Sequence, residues 1–363
     1  MEKIPKILFI KRDNSGCGYY RCEQPAKFIE RAGLADTKVV LRVATEEELN
    51  WADLVVMQEM GSVNASNIAN YCLDNNIPYI SEFDDFIQHV SPKNIAGYGS
   101  WNPGTLFQSR SMKQAQKGFA ITVSTNQLAR EYHPYHPLIY VLPNYIDKEL
   151  WEQPNIKRSD GKIRIGWSGG NAHADDLHMV SKVLDKIVKE YKGKVVFETM
   201  GMTKNELGNS FEGMENFNET CPACGYEGEV KHSPGELLQN HPVVMAAKGW
   251  DIGIAPVIDN SFGNCKSDLK IKEYAALGIP IVASNITPYK ESINSGAQVL
   301  LAETFDEWYN NIKSLIKSNK KREEISKKNK EWISNYWIQE NTKNIFEIYK
   351  QIISKAELVF NKK

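Results

Sequence analysis

Three charged residues in the segment 251–284 have the types and the spacing to bind phosphate and sugar hydroxyls. Lys266 and Lys270 are four residues apart and Glu273 follows three later, so a helix would place them on one face near one end. A helix N-terminus flanked by lysines attracts phosphate, and a carboxylate one turn further on can accept hydrogen bonds from ribose hydroxyls. The alternative is an ordinary strand–helix–strand unit with a solvated lysine face.

The residues around these charges predict the helix that would carry them. DIGIAPV (251–257) has the length and apolar character of a buried strand, and IPIVAS (279–284) resumes an extended run. Between them Ser267 is a candidate N-cap, Asp268 falls in the first turn, and Gly278 is a stop signal. The predicted order is strand, polar loop, short helix and strand.

The N-terminal part of the chain contains a glycine-containing loop after its first predicted strand, KILFI. Gly16 and Gly18 would allow the backbone to approach a ligand closely, and Arg21 could reach a phosphate. The stretch GCGYYR lacks the third glycine of a dinucleotide fingerprint, so it does not favour NAD. The alternative is that the two glycines only form a tight turn.

Adjacent carboxylates, Asp84 and Asp85, follow another predicted strand, IPYISEF. Carboxylates in this place can hold a metal, orient sugar hydroxyls or accept a proton. They can equally cap a helix that begins near Phe86. We expect them to lie at the cleft.

The strand–glycine loop–helix pattern recurs in KIRIGWSGGNAHADDL (162–177). Gly169 and Gly170 could present backbone amides to a phosphate or sugar, with His173 nearby. His173 could instead be a polar residue just before a helix. The stretch 202–241 is interpreted as irregular.

Cys221 and Cys224 lie within that stretch at the C-x2-C spacing of a zinc knuckle, with His232 and His241 as candidate further ligands. A second cysteine pair is missing, and C-x2-C followed by H-x8-H is not a standard zinc pattern. A structural zinc therefore competes with two ordinary reduced thiols.

Length and composition define the class of protein. With 363 residues, 42% hydrophobic and 25% charged, the chain has material for two α/β domains. A net charge of −1 provides no overall basic field for nucleic acid or membranes, and six cysteines favour reduced thiols or a metal over a disulfide framework. The N-terminus is too charged for a signal sequence and no apolar run is long enough to span a bilayer, so we expect a cytoplasmic protein without an integral membrane segment.

Alternating strand and helix patterns predict an α/β fold of two Rossmann-like, doubly wound domains. The N-terminal domain is expected over 1–150 and the C-terminal domain over 160–335, separated by a proline-, charge- and glycine-containing linker. A C-terminal helix at about 340–363 is expected to pack back on the first domain. Ligands of such folds bind beyond the carboxyl ends of the strands.

These features resemble GT-B glycosyltransferases, specifically the large retaining group that includes glycogen synthase, sucrose synthase and many bacterial and phage sugar transferases. The matching stretches are GCGYYR, AITVSTNQLAREY with VLPNYID, IRIGWSGGNAHADDL and KSDLKIKEYAALGIPIVAS, which span most of the chain in the expected order. In that group a glutamate opening EAxAxGxPVV binds the nucleotide ribose, and Glu273 matches it. Another glutamate often lies eight positions earlier and contacts the donor sugar, but this chain has Cys265 there.

The resemblance implies two facing domains and transfer of a sugar from a UDP-, GDP- or ADP-linked donor to a hydroxyl acceptor, with retention of anomeric configuration. It implies no required metal or other cofactor. Lys266, Lys270 and Ser267 would hold the diphosphate, and the two lysines would stabilise the leaving group while its departing phosphate takes the acceptor proton.

The acceptor would lie on the N-terminal side, in the loops around Gly18, Asp84 and Trp101. A glycan or small hydroxyl compound is expected, with a hydroxymethylated DNA base as an alternative. Two other classes remain open: a sugar-nucleotide epimerase that uses Asp84, Asp85 and His173, and a nucleotide-sugar-binding protein without turnover, which Cys265 would suit.

Overall fold

Two six-stranded parallel β-sheets, each flanked by helices, form the framework of the chain. The computed structural model describes residues 4–59, 61–92, 98–99, 101–201, 230–233 and 240–360. We call the first sheet with its helices the N-terminal lobe and the second the C-terminal lobe.

The first sheet has the order β2-β1-β3-β4-β5-β6. Its strands are β1 (Lys6–Lys11), β2 (Asp36–Leu41), β3 (Leu54–Gln58), β4 (Tyr79–Phe83), β5 (Ala120–Val123) and β6 (Ile139–Val141). The connecting helices are α1 (Gln24–Arg31), α2 (Glu46–Trp51), α3 (Val63–Asp74), α4 (Leu106–Lys117), α5 (Asn126–Tyr132) and α6 (Lys148–Trp151). A short helical turn (Gly16–Gly18) and a π-helical turn (Tyr19–Glu23) precede α1.

The second sheet has the order β12-β11-β10-β7-β8-β9. Its strands are β7 (Ile163–Ser168), β8 (Val195–Met200), β9 (Val230–Ser233), β10 (Ile252–Ala255), β11 (Ile281–Ser284) and β12 (Val299–Ala302). The helices that follow β7 are α7 (Ala174–Met179), α8 (Ser181–Glu190), α9 (His241–Lys248), α10 (Ser261–Asn264), α11 (Leu269–Ala276), α12 (Thr287–Asn294), α13 (Phe305–Lys317), α14 (Asn319–Ile333) and α15 (Ile338–Phe360). The interpretation of 202–241 as irregular is wrong at β9, which pairs in parallel with β8.

Alternate residues of strands such as β1 and β11 enter different cores, as expected for a sheet covered on both faces. In β1, Ile7 and Phe9 face one core, whereas Leu8 and Ile10 face another. The two sheets therefore have the doubly wound architecture that the alternation of strands and helices predicts. None of the described helices has the length and apolar character needed to cross a bilayer.

Strand order locates the ligand-binding edge of each sheet. The order reverses between β1 and β3 in the first sheet and between β7 and β10 in the second, and ligands bind beyond the carboxyl ends of strands at such points. The residues that follow β1, β3 and β4 therefore lie at the ligand-binding edge of the first sheet. Those that follow β7 and β10 lie at the corresponding edge of the second sheet.

Apolar contacts join the lobes. Tyr20 and Trp151 lie in one core with Trp250 and Tyr274 of the C-terminal lobe. Helix α15 follows the C-terminal lobe in the chain, yet its Tyr349 packs edge-to-face on Phe9 of β1, with ring centroids 5.7 Å apart.

Candidate active site

Helix α11 places Lys270 in its first turn, beside the loop that follows β7. The Lys270 Nζ lies 5.8 Å from the centroid of the Trp167 ring. No described carboxylate lies within ion-pair distance of this half-buried ammonium. Burial, with the positive charge of Lys266, lowers the pKa of Lys270. A half-buried cation at a helix N-terminus, without an ion-pair partner among the described residues, is an arrangement suited to an anion.

Lys266 precedes α11 and reaches across to the N-terminal lobe. Its Nζ lies 2.8 Å from Oδ1 of Asp85 and 4.3 Å from the centroid of the Phe262 ring. Burial opposes ionisation of both partners, yet their mutual attraction raises the pKa of Lys266 and lowers that of Asp85. We call the space around this ion pair, between the carboxyl edges of the two sheets, the cleft.

Glu273 is buried on the next turn of α11. The hydroxyl of Tyr20, from the N-terminal lobe, donates to its Oε1 at 3.1 Å. Burial raises the pKa of Glu273 to about 7, although Lys270 opposes the shift. The same helix therefore carries the candidate phosphate and ribose contacts.

The helix begins later than the sequence predicts. Its N-cap is Asp268 and its first residue is Leu269, so the prediction that Ser267 is the N-cap is wrong. The Asp268 carboxylate does not cap the helix, because it pairs with Lys272 at 2.7 Å and accepts a hydrogen bond from Ser292. Ser267 remains in the loop that leads from Lys266 into the helix.

The glycine loop after β7 closes directly over Lys270. A Cβ at Gly169 would lie 2.6 Å from the Trp167 ring and 3.3 Å from Lys270 Nζ. The Gly169 amide donates to the Met200 carbonyl at 2.9 Å, so the expectation that this amide faces a ligand is wrong. Gly169 is required for close packing, whereas a Cβ at Gly170 would meet open space.

His173 lies at the same edge, with its Nδ1 2.8 Å from Oδ2 of Asp176. Burial, followed by the charge of Lys270, lowers the pKa of His173 to about 4, so the ring is neutral near pH 7. Asp176 also accepts the Ile258 amide at 2.8 Å, which ties the loop after β10 to the loop after β7.

The two adjacent aspartates have different environments. Asp85 faces Lys266 in the cleft, whereas Asp84 is buried and accepts from the Asn144 side chain at 3.2 Å. The one-turn helix Ile87–His89 that follows has no side-chain cap. Capping therefore does not explain either carboxylate, and Asp85 alone is paired across the cleft.

The predictions for the loop after β1 are wrong for Arg21 and Gly18. Arg21 is buried and binds Glu82, at 2.7 Å, together with the Leu142 carbonyl and Asn144. It therefore holds the N-terminal lobe together and cannot reach a phosphate. A Cβ at Gly18 would lie 2.0 Å from the Asp13 carbonyl oxygen, so this glycine permits a tight turn; the space at Gly16 is open.

Sequence reasoning missed Glu59 and Tyr20. Glu59 directly follows the buried strand β3, which is the signal that identified Asp84 and Asp85 after β4. Tyr20 has no such signal, because its contact with Glu273 spans 253 residues of sequence.

Cys265 does not face the candidate phosphate contacts. It occupies the position at which the GT-B group that the sequence resembles often has glutamate. It is fully buried among aromatic residues of the N-terminal lobe, including Phe83 and Tyr132. Its carbonyl accepts from Thr125 at 3.3 Å, and burial raises the pKa of its thiol to about 12. Cys265 is thus a neutral contact between the lobes.

The zinc hypothesis cannot be followed through its cysteines, because Cys221 and Cys224 lie outside the described residues, as does the side chain of His232. The imidazole Nε2 of His241 lies 3.3 Å from Ser168 Oγ. Among the described side chains, no group of three or more His, Cys, Asp or Glu could hold a metal ion.

The solved structures to which this chain is similar include glycosyltransferases. A sucrose-phosphate synthase from Thermosynechococcus elongatus is 10% identical, with a TM-score of 0.66 over 97% of this chain and 100% of that one. The Anabaena protein HepE in complex with UDP is 14% identical (TM-score 0.64; 95% and 100% covered), and an alpha-glucosyltransferase in complex with UDP is 12% identical (TM-score 0.62; 97% and 100% covered). No family model and no curated protein sequence matches the chain.

This chain has the GT-B fold. The architecture predicted from the alternation of strands and helices, and from the resemblance to this group, is confirmed. In the GT-B fold of this chain, Lys266 reaches the carboxyl edge of the N-terminal sheet, whereas Lys270 lies against Trp167 at the carboxyl edge of the C-terminal sheet.

Proposed function

We propose that this protein is a glycosyltransferase that moves a sugar from a nucleotide-diphosphate sugar to a hydroxyl acceptor, with retention of anomeric configuration. The observation that carries the proposal is the ammonium of Lys270 in the first turn of α11, which has no carboxylate within ion-pair distance among the described residues. Burying a cation without a carboxylate costs stability, and a diphosphate supplies the missing negative charge.

The surrounding residues suit the rest of such a donor. Glu273 lies one turn beyond Lys270 and offers a buried carboxylate to ribose hydroxyls. UDP is the nucleotide bound in the HepE and alpha-glucosyltransferase structures, which favours a UDP-linked donor over a GDP- or ADP-linked one. A saccharide or other small hydroxyl compound is the proposed acceptor, entering from the Asp85 side of the cleft.

The proposed chemistry uses charges that are already in position. As the bond between the anomeric carbon and the phosphate oxygen breaks, negative charge develops on the leaving diphosphate beside Lys270 and Lys266. Fixed charges aimed at such a group lower the barrier because they need no reorganisation during the reaction. The acceptor oxygen bonds to the anomeric carbon and its proton passes to the departing phosphate oxygen, so no protein base is required.

The test is to incubate the protein with UDP-glucose, UDP-galactose, UDP-N-acetylglucosamine, GDP-mannose and ADP-glucose. We expect a UDP-sugar to raise the melting temperature and to be hydrolysed slowly to UDP and free sugar. A ligand at 100 times its Kd stabilises the folded state by about 2.7 kcal/mol, which a melting experiment resolves.

Each competing class predicts another outcome. An isomerised donor would identify an epimerase, and stabilisation without any turnover would identify a binding protein. Stabilisation by none of the five nucleotide sugars would overturn the proposed donor site. With a reactive acceptor found, the anomeric configuration of the product, read by NMR, tests retention.

A further inference from the structure

Glu59 is a buried carboxylate behind the cleft, between the loops that follow β1 and β4. It has a positive φ of 40°, a left-handed conformation that residues with a side chain rarely adopt and that asparagine or glycine would adopt more easily. Strained backbone conformations persist where surrounding contacts hold them and are concentrated at functional sites.

Both carboxylate oxygens of Glu59 are engaged, and each has a different partner. Oε1 accepts the backbone amides of Asp84, at 3.0 Å, and Asp85, at 3.2 Å. Oε2 pairs with the guanidinium of Arg12. The Glu59 amide in turn donates to the Glu82 carbonyl at 2.9 Å, so the backbone of Glu59 is also hydrogen-bonded to the strand β4.

Arg12 is itself fixed on three sides. Its Nε donates to Asp13 at 2.9 Å, its guanidinium lies 5.6 Å from the centroid of the Trp101 ring, and its backbone amide donates to Gln58 at 3.0 Å. The chain of contacts thus runs from Arg12 through Glu59 to the amides of Asp84 and Asp85. It ends at the Asp85 carboxylate, 2.8 Å from Lys266.

We propose that Glu59 is a positioning residue, which fixes the backbone of Asp85 so that its carboxylate meets Lys266 across the cleft. Glu59 does not face the reacting atoms. Through Asp85 it determines the position of the Lys266 ammonium. It therefore affects how this lysine is shared between Asp85 and a bound diphosphate. The inference rests on the proposed function for its effect on turnover, but the positioning of Asp85 is a structural claim that can be tested without substrate.

Two substitutions separate positioning from stability. Glu59→Gln keeps an oxygen that can accept both amides but removes the charge that pairs with Arg12. Glu59→Met has a similar volume and removes every acceptor. We expect both variants to lose stability to urea, because both lose the Arg12 pair. We expect only Glu59→Met to change the site.

The readouts at the site are UDP affinity by calorimetry and hydrolysis of the active UDP-sugar. Glu59→Met is expected to change UDP affinity and hydrolysis as Asp85→Asn does, with turnover at least tenfold below wild type. The double variant is expected to show no effect beyond that of Asp85→Asn alone. Glu59→Gln is expected to stay within threefold of wild type. Glu198→Gln is the control, since Glu198 is a buried carboxylate bound to Arg164 and Trp250 in the other sheet.

Several outcomes would overturn the proposal. Glu59→Met could bind UDP and turn over donor as wild type does after correction for the folded fraction, which would show a structural role alone. The effects of Glu59→Met and Asp85→Asn could instead be additive. If Glu59→Met does not fold, hydrogen exchange in the wild type decides, because unprotected Asp84 and Asp85 amides contradict the proposed contacts.

A failure of the proposed function gives a different pattern. If wild-type protein binds no nucleotide, a double-mutant cycle between Asp85→Asn and Lys266→Met, measured by urea unfolding, still tests the positioning. The coupling between these two substitutions is expected in wild type and in Glu59→Gln, and is expected to vanish in Glu59→Met. Coupling that survives in Glu59→Met would contradict the role of Glu59 by itself.

Discussion

Lys266 of the C-terminal lobe is paired with Asp85 of the N-terminal lobe, with 2.8 Å between Nζ and Oδ1. Lys266, the proposed diphosphate contact, is therefore already paired with a carboxylate at the edge of the opposite sheet. A donor bound as proposed competes with Asp85 for Lys266, which makes the ion pair a measurable part of donor affinity.

Replacing Asp85 with asparagine is expected to tighten UDP binding and to slow turnover. Both partners are about one-fifth to one-quarter exposed, at 20% and 26%, so the pair contributes about 1 kcal/mol, equivalent to roughly fivefold in Kd. Calorimetry at two salt concentrations measures this, with exposed Asp306→Asn as the charge-matched control. Unchanged UDP affinity in Asp85→Asn would show that Lys266 does not contact the nucleotide.

Lys270→Ala is expected to lose activity while keeping stability. The loss of one charge that stabilises the leaving group should lower donor turnover by about 10²-fold. Because no described carboxylate lies within ion-pair distance of the ammonium, its removal should leave the free energy of unfolding unchanged or higher. Hydrolysis assays and urea unfolding measure the two quantities, with exposed Lys290→Ala as the control. Turnover near the wild-type level would refute the role of Lys270.

Two neighbouring glycines provide a matched pair of substitutions. An added methyl group at Gly169 would meet the Trp167 ring and approach Lys270, whereas at Gly170 it would meet nothing within 4 Å. We expect Gly169→Ala to destabilise the protein by about 1–3 kcal/mol and to weaken UDP binding. Gly170→Ala should change neither quantity. Equal effects of the two substitutions on UDP affinity would argue against close packing over Lys270.

Glu273 should make donor affinity depend on pH. Its pKa of about 7 means that the carboxylate becomes fully charged only above neutrality, and a charged acceptor binds ribose hydroxyls more strongly. UDP-glucose, whose diphosphate does not titrate near pH 7, should bind about three- to tenfold more tightly at pH 8 than at pH 6. Glu273→Gln should remove this dependence, and a slope that persists in the variant would assign it to another group.

The same shift has a defined sign for stability. The unfolded chain releases the Glu273 proton near pH 4.5 and the folded protein near pH 7. This group therefore favours the folded state at acidic pH, and its contribution is lost as the pH rises through 7. A urea-unfolding series from pH 5 to 8 should show a less steep loss of stability with rising pH in Glu273→Gln than in wild type.

Arg21 is expected to behave as a structural residue. Arg21→Met leaves the Glu82 carboxylate buried without its partner, which typically costs about 3–5 kcal/mol. Arg31→Met removes an exposed pair with Glu149 and should cost at most about 1 kcal/mol. UDP affinity of folded Arg21→Met should equal that of wild type. A specific loss of UDP binding without loss of stability would instead indicate that Arg21 contacts the donor.

The fold could be predicted from the sequence because its signals are local. Continuous apolar runs such as KILFI and IPIVAS mark strands buried on both faces, and the glycine and proline signals between them mark turns. Two strands were not predicted: β9 and the four-residue β12. They are the two edge strands of the second sheet, so each is placed by its pairing with a single neighbouring strand, β8 for β9 and β11 for β12.

The site could be predicted only where a motif is short and continuous. Lys266, Lys270 and Glu273 lie within eight residues, and the positions after β4 and β7 follow from the rule that ligands bind beyond strand ends. Arg21 was placed at the site wrongly for a physical reason. An arginine in a glycine-containing loop has the same local pattern whether it faces a ligand or, as here, binds Glu82, 61 residues away.

The sequence by itself determined the class of fold, the strand ends beyond which ligands of such folds bind and the charged motif of α11. Only the tertiary structure decided which charges are already paired: Lys266 has Asp85, Glu273 has Tyr20, and Lys270 has no carboxylate within ion-pair distance among the described residues. The physical reason is that apolar patterns and helix spacing act over a few residues. Charge compensation instead depends on which distant residues meet when the two lobes come together.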